Sequence, residues 1–187
     1  MVYQTSDFRN GLKVELDGSP YVVTYFQFVK PGKGTAFTRT KLKHMITGSV
    51  IERTFRTGET LQAADVEENS MQYLYSDGEF FHFMNEETFD QVAIPETVIE
   101  HESKYLTESL TVDVLFYKER PVSISLPNFI ESEIAECEPG VKGNTATGAS
   151  KQAMLACGAK VQVPLFVDQG ERIRVDTRTG EYVSRVK

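Results

Sequence analysis

The stretch Val29-Lys30-Pro31-Gly32-Lys33-Gly34-Thr35-Ala36-Phe37 organises the reading of this chain. An apolar, aromatic run over residues 21–29 leads into it, and an alternating run over residues 37–42 leads out. Gly32 and Gly34 can take positive φ without steric penalty, while Pro31 fixes its own φ and keeps Lys30 extended. This is the chemistry of a loop joining two strands, and it sets the long side chain of Lys33 at an exposed tip. Taken alone, such a lysine is a solubilising residue on a turn.

The flanking sequence continues in the same style. Residues 12–16 alternate, Asp17-Gly18 turns, residues 48–55 form a further strand and Thr57-Gly58 a turn. Arg39, Lys41 and Lys43 fall at period two on the outgoing strand, so the three cations share one face. Five short strands with little helix signal over residues 1–63 predict a small SH3-like, KOW-like barrel carrying the Lys33 tip loop. Residues 64–127 open with the acids Asp65, Glu67 and Glu68 and then read as a hairpin, 71–75 and 80–84, turned by Asp77-Gly78. A helical turn is expected at 85–89, a short helix at 103–110, and closing strands at 110–117 and 121–126. Residues 128–187 give strands at 129–135, around Ala153, at 160–167 and at 172–176. Thr179-Gly180-Glu181-Tyr182-Val183 echoes Asp77-Gly78-Glu79-Phe80-Phe81, a hairpin with the same Gly-Glu-aromatic step in each segment. The expected fold is all-β: an SH3-like barrel followed by two OB-fold barrels, at 64–127 and 128–187.

The 187 residues carry a net charge of -7, which taken whole argues against a nucleic-acid partner. The distribution argues otherwise. Residues 1–63 hold 9 Lys/Arg against 5 Asp/Glu, residues 64–127 hold 3 against 14, and residues 128–187 hold 8 against 8. The acid sits in the middle third, leaving both ends free to meet phosphate.

Catalytic and metal chemistry find no support. His44, His82 and His101 are scattered, with no partner at ligand spacing. Gly32-Lys33-Gly34-Thr35 lacks the spacing of a phosphate-binding loop and is followed by strand pattern where a helix should begin. Cys137 and Cys157 have no metal spacing; two free thiols in a reducing compartment fit them best, and a disulfide is also compatible. No apolar run reaches membrane-spanning length and residues 1–10 are polar, so a cytoplasmic protein with no membrane and no DNA partner is expected.

At this point longer motifs stand out. Phe28-Val29-Lys30-Pro31-Gly32-Lys33-Gly34 through Phe37, Arg39 to Leu42, Tyr73-Leu74-Tyr75 through Gln91, Pro127-Asn128-Phe129, and Val175-Asp176-Thr177-Arg178 through Val186 closely resemble bacterial elongation factor P, in register over essentially the whole chain. That family is related to the hypusine-carrying initiation factor of eukaryotes and archaea. The resemblance implies three barrels in an L-shaped, tRNA-like arrangement that acts as a monomer. It implies binding to the ribosome, to rRNA and ribosomal proteins, between the peptidyl- and exit-tRNA sites, and relief of stalling at consecutive prolines. It further implies that Lys33, flanked by Pro31, Gly32 and Gly34, is the tip residue that a lysine-modifying enzyme extends, commonly with a β-lysyl adduct, and that reaches the P-site peptidyl-tRNA. The third-barrel loop that relatives write Gly-Asp-Thr stands here as Gly143-Asn144-Thr145, where Asn removes a charge and adds two donors. Together with Arg39, Lys41, Lys43, Tyr182 and Arg185, these are the expected RNA contacts, and the factor is expected to be a non-enzymatic activator of peptidyl transfer. A single-strand RNA-binding barrel module and an all-β protein adaptor are the other classes that fit the bare strand pattern, and neither requires a special lysine.

Overall fold

The computed structural model describes residues 1–139 and 149–186. Its regular structure is strand throughout, apart from three single 3₁₀ turns, and the strands form three sheets. The chain divides into two compact units, Met1–Glu68 with Leu115–Ser123, and Asn69–Val114 with Ile124–Lys187.

The first sheet runs β1 (Val2–Gln4), β2 (Lys13–Leu16), β3 (Ser19–Val29), β4 (Phe37–His44), β5 (Val50–Arg56) and β6 (Thr60–Ala63), in the order β1-β6-β2-β3-β4-β5. Alternation dictates its core. Val14 and Leu16 point inward from β2, and Thr38, Thr40 and Leu42 from β4. Phe8, Leu12, Val23, Phe55 and Leu61 complete the packing, with Phe8 and Phe55 edge to face at 5.4 Å. Asp17 (φ 51) and Gly18 (φ 75) turn β2 into β3, as a two-residue hairpin loop of positive φ requires. The sequence pattern predicts five strands and places four of them; the structure has six, adding β1 and β6, each too short to show alternation.

The second sheet contains β7 (Val66–Ser76), β8 (Phe80–Asn85), β9 (Gln91–Pro95), β10 (Thr111–Tyr117) and β11 (Arg120–Ser125), ordered β11-β10-β7-β8-β9. Pro121 falls in β11, an edge strand, where its missing N–H is tolerated. Residues 85–89 form a turn and not a helical start, because Asn85 Oδ1 accepts from the N–H groups of Glu87 and Thr88 and closes the chain locally. Of the helix expected at 103–110 only Ser103–Tyr105 coils, as a 3₁₀ turn. The end of the β10–β11 hairpin belongs to the first unit. There the Tyr117 hydroxyl donates to Glu15 Oε2 (2.9 Å) and to the Gly18 carbonyl (3.1 Å), and Lys118 Nζ lies 3.3 Å from Glu15. These groups, Tyr117 first, hold the Glu15 carboxyl below its usual range.

The third sheet contains β12 (Phe129–Cys137), β13 (Ser150–Leu155), β14 (Lys160–Pro164), β15 (Arg172–Asp176) and β16 (Glu181–Arg185), ordered β14-β13-β12-β15-β16. Ile134, Val163, Val167, Ile173 and Val175 form its dry core, and Tyr105 joins them. A Cβ at Gly180 would stand 3.0 Å from the Tyr105 hydroxyl, so the Gly-Glu-aromatic turn needs its glycine for space as well as for its φ of 73°. Cys137 and Cys157 are free thiols. No helix among the described residues is long and apolar enough to cross a membrane.

Candidate functional site

Strands β3 and β4 build an arm. They pair from Tyr21 with His44 out to Val29 with Phe37, and the register shifts by one residue at Thr24. That bulge separates two halves of different character. Before it Val23 is buried; after it, Tyr25, Phe26 and Phe28 are 44, 40 and 60 % exposed. The apolar, aromatic run of residues 21–29 therefore leaves the core halfway along.

The loop at the end of the arm holds Lys33 exposed, between the exposed Gly32 and Gly34 and the half-buried Pro31. Gly34 has φ +113, a conformation that disfavours any side chain, whereas Gly32 does not use positive φ and a Cβ there would meet nothing within 4 Å. Only the second glycine is thus demanded by backbone geometry. Among the described residues, 30–35 make no hydrogen bond outside the loop and Lys33 has no ion pair. The nearest anchor is the Ala36 carbonyl, which accepts from the N–H (3.2 Å) and hydroxyl (3.0 Å) of Thr57.

Arg39, Lys41 and Lys43 occupy the exposed face of β4, as their spacing requires, while Thr38, Thr40 and Leu42 point inward. Arg39 stands between Gln27 and Thr54 across the sheet and Lys41 between Tyr25 and Glu52. Lys41 pairs with Glu52 at 3.5 Å, and the Arg39 guanidinium lies 5.6 Å from the centre of the Phe37 ring. These rows line an open groove of about 750 Å³ with Thr24, Thr40 and Arg53. Tyr25 and Gln27 join this face by their period-two spacing on β3, opposite Lys41 and Arg39, whereas Arg53 pairs with Thr40 and reaches the groove from the alternate row. Arg39 and Lys41 line the groove, and the same two strands, β3 and β4, carry the Lys33 loop at their end.

The remaining expected contacts lie elsewhere. Gly143, Asn144 and Thr145 fall outside the described residues. Tyr182 and Arg185, three apart, would point to opposite faces of a regular strand. A register shift in β16 instead sets Tyr182 opposite Val175 and Arg185 opposite Ile173, two inward-facing residues, so both lie on one side. Tyr182 packs on the core; Arg185 turns outward to Glu171 (3.6 Å) and over the Phe166 ring.

Histidines play local parts. His44 Nδ1 accepts from the N–H groups of Ile46 and Thr47, and His82 bonds Asp77 at 2.9 Å while stacking on Tyr75. Among the described residues no three His, Cys, Asp or Glu side chains are placed to hold a metal.

Comparison with known proteins agrees with this geometry. The model of the elongation factor P KOW-like domain matches residues 4–61, that of its OB domain residues 66–124, and that of its C-terminal domain residues 130–185. The chain belongs to the elongation factor P family. Elongation factor P of Moorella thermoacetica is 52 % identical over 181 residues, covering 97 % of this chain and 98 % of its own. That of Caldanaerobacter subterraneus is 50 % identical over 180 residues, covering 96 and 97 %. Among solved structures, translation initiation factor 5A from Methanococcus jannaschii superposes with a TM-score of 0.53 at 19 % identity, covering 67 % of this chain and 94 % of its own, a likeness of fold. All-β architecture with KOW-like and OB domains is therefore the fold, and the chain is placed among the translation factors.

Proposed function

We propose that this elongation factor binds the ribosome between the peptidyl- and exit-tRNA sites and speeds peptide-bond formation at consecutive prolines. The observation that carries the reading is Lys33. It is an exposed amine at the end of an arm that leaves its own core, on a loop that no hydrogen bond among the described residues holds back. Three barrels, 1–63, 64–127 and 128–187, are the units of the reading, the first presenting Lys33 and the other two spreading the grip.

Proline is a ring-bound secondary amine with one fixed dihedral, a slow acceptor and a constrained donor in peptide transfer. A factor need not supply an acid or base if it holds the peptidyl-tRNA end in reactive geometry, since restricting a misaligned substrate lowers the entropic part of the barrier. Lys33, lengthened by a β-lysyl-type adduct from a lysine-modifying enzyme, follows the tRNA end into a cavity that a folded loop cannot enter. Arg39, Lys41 and Lys43 meet tRNA and rRNA phosphates along the groove. The ribosome's RNA remains the catalyst and this protein its activator.

The test uses Lys33→Ala and Lys33→Arg in a host lacking its own copy. Arg keeps a charge but replaces a compact ammonium with a planar fork that a lysine-specific enzyme does not accept. Both variants should fold, sediment with ribosomes, and fail to speed a reporter with three consecutive prolines, while a proline-free reporter is unaffected. Full rescue by Lys33→Ala would sink the mechanism.

A further inference from the structure

The outer half of β3 is an open sheet edge. Strand β2 accompanies β3 as far as Val22, and Val23 adds the last bonds on that side, accepting from Gly11 N–H and donating to the Leu12 carbonyl. From Thr24 onward β3 has β4 on one side and, among the described residues, no strand on the other. Residues 24–28 are all exposed, and Phe26 and Phe28 share a face by their alternation. Such an edge presents a row of unpaired N–H and C=O groups, and chains ordinarily guard it with charge, proline or a bulge. Here the bulge lies at the inner end of the open stretch, and β3 carries no charged residue from Ser19 to Val29.

Charge divides the arm's two flanks. Strands β4 and β5 bring Arg39, Lys41, Lys43, Arg53 and Arg56; β3 brings none. The β3 edge offers a phosphate backbone no cation. An uncharged, extended polypeptide gains a hydrogen-bonded ladder from it, and apolar burial from Phe26 and Phe28. The edge is also continuous with the Lys33 loop.

That loop poses a recognition problem which the edge answers. Lys30 and Lys33 are both exposed, and the residues around Lys33 are Pro31, Gly32 and Gly34, which offer an enzyme almost no side chain to read. Choosing one amine over the other needs a grip elsewhere. A strand added to β3 provides it, because a sheet ladder fixes register in steps of roughly 3.3 Å per residue. We infer that the β3 edge, residues 24–28 with Phe26 and Phe28, is the docking strip by which the enzyme that modifies Lys33 holds the arm, through an extended segment that continues the sheet. This rests on the reading of Lys33 as a modified residue.

The experiment measures the mass of the Lys33 peptide in wild type, in a Phe26→Ser/Phe28→Ser variant and in an Arg39→Ala/Lys41→Ala variant, each purified from the native host deleted for its own copy. Melting temperature and ribosome sedimentation are measured alongside. The expected result is adduct on wild type and on the cation variant, loss of most of it from the phenylalanine variant, and unchanged melting and sedimentation for the latter. If the double variant melts early, Phe28→Ser alone, at the more exposed position, carries the same readout. Full occupancy in the phenylalanine variant overturns the inference and leaves the modification standing. Equal loss in both variants, or loss of ribosome sedimentation with occupancy intact, also overturns it. A wild type without adduct sinks the modification itself.

Discussion

Two hairpins in this chain start alike and end differently. Strands β3 and β7 each run eleven residues, and each slips register by one residue on its partner, between Val23 and Tyr25 in one and between Tyr73 and Tyr75 in the other. The β7–β8 hairpin then closes on a turn with bonds in every direction. Asp77 Oδ1 accepts from the N–H groups of Glu79 (3.0 Å) and Phe80 (2.8 Å), Gly78 N–H donates to Ser76 Oγ, and His82 closes on Asp77 Oδ2. The β3–β4 hairpin ends in a loop with none of these ties. A turn whose task is to join strands spends its polar atoms on itself. On the proposed function the Lys33 loop offers one amine, and leaving its polar atoms to solvent or to a partner suits that role.

The largest expected effect tests whether the tied hairpin is core and the free one is not. Phe83, in β8, is fully buried, and Phe83→Ala should cost about 3–5 kcal/mol in urea unfolding. Phe28→Ala, at 60 % exposure, should stay within about 0.5 kcal/mol. Equal losses would erase the contrast. The second prediction concerns acid. The His82 hydrogen bond above all, then the N–H groups of Phe80 and Glu79, lower the Asp77 pKa from 3.8 to about 2. A carboxyl depressed in the folded state contributes stability that is complete above its unfolded pKa and is lost as pH falls through the folded one. Asp77→Asn should therefore melt below wild type at neutral pH, and the gap should close between the two pKa values, 3.8 and about 2. A gap that persists at lower pH would mean that the turn rests on something other than the carboxylate.

Smaller effects sharpen the account of the free loop. Gly34→Ala forces a side chain into φ +113 and should cost about 1 kcal/mol. Gly32→Ala, with ordinary φ and open space at its Cβ, should stay within about 0.5 kcal/mol. Matching losses would show that the loop is held as tightly as the Asp77 turn. Last comes Lys33→Ala, whose thermal unfolding should be that of wild type to within about 0.5 kcal/mol, as befits a side chain without a partner.

Much of this was legible in the residues. Asp17-Gly18, Asp77-Gly78 and the alternation of β4 are local signals, and local signals place hairpins and inward faces. What escaped depends on partners distant in sequence. Strands β1 and β6 are three and four residues long and exist because they pair with each other, Val2 with Gln62 and Tyr3 with Leu61. The exposure of Phe26 and Phe28 follows from β2 beginning only at Lys13, opposite Val22, which nothing in β3 itself records. Single-residue slips at Thr24 and in β16 invert which side a later residue faces, so spacing alone misplaced Arg185 relative to Tyr182. Lys33 was legible as a tip residue because glycine and proline declare a loop wherever they stand, but the looseness of that loop is an absence of bonds, which no residue spells out.

The hydrogen bonds from Tyr117 bear on how the molecule can be taken apart. Leu115–Ser123 pack with Met1–Glu68 although some forty-six residues of other structure intervene, so the unit carrying Lys33 is encoded in two separated stretches. A gene fragment ending after β6 would deprive Glu15 and the Gly18 carbonyl of their donor and leave Asp65 without the Lys118 N–H that its carbonyl accepts. Exchange of the tip-bearing module between relatives must therefore move both stretches together. A chimera that transplants Glu15 without Tyr117 and Lys118 joins halves that were never fitted to each other.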